Sequence, residues 1–152
     1  TAVAANAKPD GYTVLMTAST ISLVPEADKL FDWKPAYTLE QLAPIALIWT
    51  DPTYLVVRSE SPWKSIKELG YNIEYYVWVG LFTQSATPDA AMKVLRDAAR
   101  KAVEDSDFKA IMAKLSTPIH YLDAPEFQKF WDRDAKRLAE VVKAVGRVEE
   151  QK

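Results

Sequence analysis

The hydrophobic pattern divides the chain into two halves. In the first half, apolar residues come in short runs bounded by turn residues, which is how strands read. Residues 12–17 are β-branched, aromatic and apolar and follow the turn signal Pro9-Asp10-Gly11, which predicts a short buried strand. Thr38-Leu-Glu-Gln41 has the form of a capping box and predicts a brief helical turn from Thr38. Residues 45–49 and 54–58 read as two further strands, separated by Asp51-Pro52. Ser61-Pro62-Trp63 then leads into a short helix over 65–69. Residues 75–82 are aromatic and aliphatic, broken only by Gly80, as expected of a strand buried on both faces.

The second half has longer periods. Thr87-Pro88-Asp89 supplies an N-cap, a proline at the first helical position and an acid in the first turn. Met92, Leu95, Ala99, Ala102 and Val103 then recur along one helical face. Ser106 opens another helix with Phe108, Ile111, Met112 and Leu115 on one side, and 119–122 read as a short edge strand. Asp123-Ala-Pro-Glu126 caps a last helix whose stripe is Phe127, Phe130, Trp131, Leu138, Val141, Val142 and Val145, ended by Gly146. Two features stand out. Residues 1–7 look like the end of a helix, and Gly70-Tyr71-Asn72 follows Leu69 with no spacer.

Composition narrows the classes. A chain of 152 residues fits one domain, at most two small ones. Its 49% apolar and 26% charged residues, with a formal net charge of −2, argue against intrinsic disorder. Nineteen basic against 21 acidic residues give no electrostatic case for nucleic acid. The absence of cysteine removes disulfides, thiolate ligands and cysteine nucleophiles, and leaves the redox compartment open. The apolar runs at 43–49 and 75–82 are far shorter than the roughly 20 residues that span a bilayer. Residues 1–8 lack the basic start and apolar middle of a secretory signal, so the chain reads as cytosolic or already processed.

Candidate chemistry is sparse. Gly11, Gly70, Gly80 and Gly146 are too scattered for a phosphate loop, and no Gly-x-Ser-x-Gly elbow occurs. His120 is the sole histidine; Asp123 stands within pairing range in sequence, yet a packed or surface role is the stronger reading. Glu126, Asp132 and Asp134 alternate with Lys129, Arg133, Lys136 and Arg137, which favours a solvated helix face over a cation site. Of the five tryptophans, Trp49, Trp78 and Trp131 fall on expected core faces, so packing outweighs a sugar-stacking groove. The most suggestive polar cluster is Thr17-Ala18-Ser19-Thr20, directly after a strand. Small hydroxyl side chains and free amides at the carboxyl end of a strand suit a carboxylate, although a plain strand-to-loop transition carries the same residues. No catalytic set, metal site or cofactor is assigned, and an enzyme is the least favoured class.

Residues 7–17, Ala-Lys-Pro-Asp-Gly-Tyr-Thr-Val-Leu-Met-Thr, resemble the A-x-P-D-G-Y-T-L-L segment of the periplasmic solute-binding proteins of tripartite tricarboxylate transporters, the Bug family. The likeness continues through 42–47, 55–57 and 61–69, resumes at 70–71, 78–82 and 86–88, and runs through the C-terminal helices to cover nearly the whole chain. The resemblance implies an α/β chain forming one lobe of a type II, Venus-flytrap periplasmic-binding-protein fold. Residues 1–152 would be a single incomplete lobe, with a junction at 69–70 where the family's second lobe would be inserted, and without the first strand–helix unit. It also implies non-catalytic capture of a small carboxylate at Thr17, Ala18, Ser19 and Thr20 for membrane permease subunits, and a periplasmic location, the signal peptide not being present in this chain. The rival expectation is a truncated paralogue with its cleft lost. Such a chain would serve a larger protein complex or self-associate, with the aromatic-rich segment 71–82 as its patch.

Overall fold

The structure, a computed structural model, describes residues 1–70 and 75–146. Its centre is a four-stranded sheet in the order β1-β3-β2-β4. The strands are β1 (Leu15–Ala18), β2 (Leu42–Pro52), β3 (Tyr76–Gln84) and β4 (Ile119–Asp123), and the three pairings between them are all antiparallel. Helices cover both faces. The short α1 (Ala2–Ala5), α2 (Thr20–Leu30) and the long α5 (Ala124–Val145) lie on one side; α3 (Asp89–Glu104) and α4 (Ser106–Lys114) lie on the other. Two 3-10 turns, Leu39–Gln41 and Ile66–Leu69, link the elements. The first carries the expected capping box, with the Thr38 amide donating to Gln41 Oε1 at 2.8 Å.

The aromatic residues of 75–82 and the last helix build the main core. Trp78 is 0% exposed and meets Phe127 edge-on at 5.5 Å, while Phe82 meets Trp131 at 4.8 Å. Gly80 is what lets α5 come this close: a Cβ there would overlap the Phe127 ring. The opposite face is aliphatic, with Ile45, Ala46, Ile48, Ala99 and Val103 buried together.

Six expectations need correction. Residues 54–58 form no strand: after Thr53 donates to the Tyr75 carbonyl at 3.1 Å no further pairing is made among the described residues. The first strand begins at Leu15 rather than 12, and it is an edge strand with Met16 54% exposed. The Thr13 carbonyl is taken instead by the Thr83 hydroxyl at 3.1 Å. Thr87 does not cap α3, whose N-cap is Pro88; its hydroxyl pairs with that of Thr83. Ile111 and Leu115 are exposed, since α4 packs on α3 mainly through Phe108 and Met112. Asp134 is not on a solvated face but buried under the sheet. Of the expected apolar patch at 71–82, residues 71–74 lie outside the described residues, and Trp78 and Phe82 are core.

One helix, α2, escaped the sequence reading because Pro25 sits inside it. Proline has no amide to give, so the Ile21 carbonyl one turn back loses its helical partner. Buried Tyr37 replaces it, its hydroxyl donating to that carbonyl at 2.8 Å, and burial raises the phenol's pKa.

Candidate functional site

The four residues singled out after the first strand fall at a strand-to-helix junction. Thr17 and Ala18 close β1 opposite Gly80 and Val79, Ser19 is the N-cap of α2, and Thr20 is its first residue. Ser19 is buried, and its amide donates to the Trp78 carbonyl at 3.0 Å, so it is committed to the sheet rather than free. The Ser22 amide turns back to the Ser19 carbonyl at 3.1 Å. That leaves the amides of Thr20 and Ile21 at the helix end without an acceptor among the described residues. They point along the positive end of the helix dipole, and no acidic side chain occupies the first turn.

Three anchors fix this junction. The Ser19 amide ties it to β3, Tyr37 holds the Ile21 carbonyl, and the buried Ser22 hydroxyl accepts from Trp131 Nε1 of α5 at 2.9 Å. The helix end is thus set before any ligand arrives, which lowers the ordering cost of binding. Thr20 is exposed and Thr17 is half-buried. The chemistry available is anion capture by backbone amides and hydroxyls, with no titratable group among the four residues.

The acidic residues have structural roles. Asp134 accepts from Trp78 Nε1 at 2.6 Å and from Arg137 Nη2 at 2.6 Å, pinning α5 under β3. Asp123 does not pair with His120. It accepts from Arg96 (2.8 and 2.7 Å) and Arg100 (2.8 Å) and caps α5 through the Ala124 amide at 2.9 Å. The Arg96 hydrogen bonds hold its carboxyl at about 2 against the opposing effect of burial. His120 instead meets the Thr50 hydroxyl, Nδ1 to Oγ1 at 3.3 Å. Among the described residues no group of three or more His, Asp or Glu side chains could hold a metal ion, and no helix is long and apolar enough to cross a membrane.

Sequence reasoning missed a cavity of about 700 Å³ at the β4 edge, opposite the β1–α2 junction across the sheet. Its lining joins the ends of β2 and β3 to β4 and the first half of α5. The only sequence signal for it was the alternation of charge along α5, which reads equally as a solvated face.

Three comparisons bear on this architecture. The chain matches the family profile described as tripartite tricarboxylate transporter family receptor (TctC) in two segments, residues 1–69 and 63–147. No curated protein matches it significantly. Among solved structures, a TctC solute-binding protein from Polaromonas, without ligand, superposes with a TM-score of 0.77 at 15% identity, over 94% of this chain and 82% of that one. The periplasmic binding protein BugD superposes with a TM-score of 0.72 at 14% identity, over 94% and 81% respectively. At these identities the likeness speaks for the fold, which is that of one lobe of such proteins.

Proposed function

The chain belongs to the tripartite tricarboxylate transporter receptor family, and on that premise we propose that it is a non-catalytic receptor lobe that holds a small carboxylate at the β1–α2 junction. The observation that carries this reading is the anchored helix end. The amides of Thr20 and Ile21 have no acceptor among the described residues, and Thr17 and Thr20 bring hydroxyls to the same strand-to-helix junction. The ligand would pass to the membrane permease subunits of a tripartite transporter, and the protein would work in the periplasm. Residues 1–152 are read as a single incomplete lobe with the family's second lobe absent at 69–70; the family profile's match in two segments that meet at 63–69 supports this.

A ligand closed between two lobes gains burial that one lobe cannot supply. Millimolar affinity is therefore expected of this chain. At a dicarboxylate concentration ten times Kd, linkage adds about 1.4 kcal/mol, a rise in Tm of roughly 3–6 °C at this size. Thermal melts against succinate, malate and citrate measure it. The Thr17→Val, Thr20→Val pair should remove the rise, and a flat response across the panel would sink the reading.

A second reading has its own observation. Tyr54, Leu55, Val56 and Val57 are exposed in succession along the chain, the kind of apolar surface that a partner protein or a second copy covers. A truncated paralogue working as an interaction subunit would show a concentration-dependent mass in solution.

A further inference from the structure

We propose that the cavity between β4 and the first half of α5 is a second ligand site, built for a small aromatic carboxylate and independent of the β1–α2 junction. The two stand at opposite edges of the sheet, so this assignment holds or fails apart from the carboxylate reading above. At about 700 Å³ the cavity falls within the usual range for small-molecule sites.

Its walls and rim differ in character. Tyr76, Leu122 and Phe130 give an apolar, partly aromatic interior. The rim carries Lys129 and Arg133, four residues apart and so on one face of α5. Two cations at that spacing repel each other unless an anion lies between them. Neither has an ion pair among the described residues, whereas Arg137 on the same helix is bonded to Asp134, and Arg96 and Arg100 of α3 are bonded to Asp123. Glu126 lines the same rim without bridging to Lys129, leaving two cations against one carboxylate. The Arg133 guanidinium lies 6.0 Å from the Phe130 ring centroid, beside the apolar wall.

These placements select for the ligand. A flat apolar body fills the interior against Phe130 and Tyr76, and a single carboxylate at one end reaches the Arg133 fork and the Lys129 ammonium. His120, held to Thr50 at 3.3 Å, closes the β4 side of the rim. A neutral aromatic would leave the two cations unpaired, and inorganic phosphate would leave the apolar wall wet.

Because His120 is the sole histidine, its imidazole proton resonances report on this site without ambiguity. The experiment is a titration of the full chain with sodium benzoate, followed by NMR at His120, with benzyl alcohol and inorganic phosphate as comparators. Benzoate should shift the His120 signals saturably at millimolar concentration, with the alcohol and phosphate at least tenfold weaker. Arg133→Gln and Lys129→Met keep the side-chain stems at exposed positions, and each should weaken benzoate at least tenfold while leaving the melting curve in place. A response equal for phosphate and benzoate, benzoate binding unchanged in both variants, or no shift at His120 up to 50 mM on the order of ten times the expected Kd would overturn the assignment.

Discussion

Residues 54–57, Tyr-Leu-Val-Val, and residues 76–79, Tyr-Val-Trp-Val, are close to interchangeable as patterns. Both are runs of aromatic and β-branched residues that read as strands. In the fold they part company: Trp78 is 0% exposed in the middle of the sheet, whereas Val56 is 87% exposed in a segment with no regular structure. The difference is not propensity but neighbours. β3 has β1 on one side and β2 on the other, and α5 is laid across it. Residues 54–57 follow the end of the β2–β3 ladder, where Pro52 stands opposite Tyr76 and Thr53 bonds Tyr75, and among the described residues no strand pairs with them. Strand propensity is fulfilled only where a second strand supplies the ladder and a second layer supplies the burial.

The comparison breaks most readily at Gly80. That position has no side chain so that the Phe127 ring can rest on β3, and an added Cβ would overlap it. Gly80→Ala is expected to cost about 3 kcal/mol through overpacking of the core. For a chain of this size that is a fall in Tm of roughly 6–12 °C, read by thermal or urea melts. Phe127→Leu in the same molecule should restore part of the loss, since the two changes act on one contact. A loss under about 1 kcal/mol would mean that α5 sits more loosely on β3, and that the buried strand and the exposed run differ less in packing.

A smaller effect tests the tie between the two helical layers. Asp123 joins β4 and α5 to Arg96 and Arg100 of α3, and its carboxyl is held at about 2, below its ordinary value of 3.8. A carboxyl lowered by folding stabilises fully above its unfolded pKa and loses that contribution as pH falls toward the folded one. The window therefore opens near pH 4 and runs down through pH 2. Asp123→Asn should cost about 1–2 kcal/mol at pH 7, discounted for the solvent around Arg100, and under about 0.5 kcal/mol near pH 2. Urea melts of both proteins at the two pH values decide it. A constant gap between them would assign the loss to the helix cap rather than to the charge.

Legibility followed the same logic of neighbours. Helices with a periodic apolar stripe, such as α3 and α5, were readable because that signal is local, and α5 adds a true cap at Asp123. So was the capping box at Thr38, and so was the buried run around Trp78. α2 was hidden because Pro25 is a helix breaker unless something takes the carbonyl it strands, and Tyr37 does so from 16 residues away. The absence of a strand at 54–58 was unreadable because whether a run of strand formers finds a partner is decided outside the run itself. For the site, Thr17–Thr20 could be seen as small hydroxyl residues after a strand, but not that Ser19 would spend its amide on Trp78. The β4-edge cavity could not be seen at all, because Thr50, Tyr76, His120 and Arg133 meet only in the folded chain.

The smallest effect is the sharpest test of the opening contrast. Hydrophobic stabilisation follows the apolar area that folding removes from water, and Tyr54 and Val56 are about as exposed in the fold as in the unfolded chain. Tyr54→Ser together with Val56→Ser should therefore change stability by less than about 0.5 kcal/mol, a Tm shift within about 2 °C, in dilute solution. The same substitutions at Tyr76 and Trp78 would empty the core, so sequence pattern alone predicts equal damage and the fold predicts opposite outcomes. A large loss at 54 and 56 would mean that this segment is covered in solution. Concentration then tells by what: a Tm that climbs with protein concentration in the parent and not in the variant places a second copy on the segment, since only association makes stability depend on mass action. A loss that is the same at every concentration places the segment against its own chain, and the contrast between the two runs would then be one of degree.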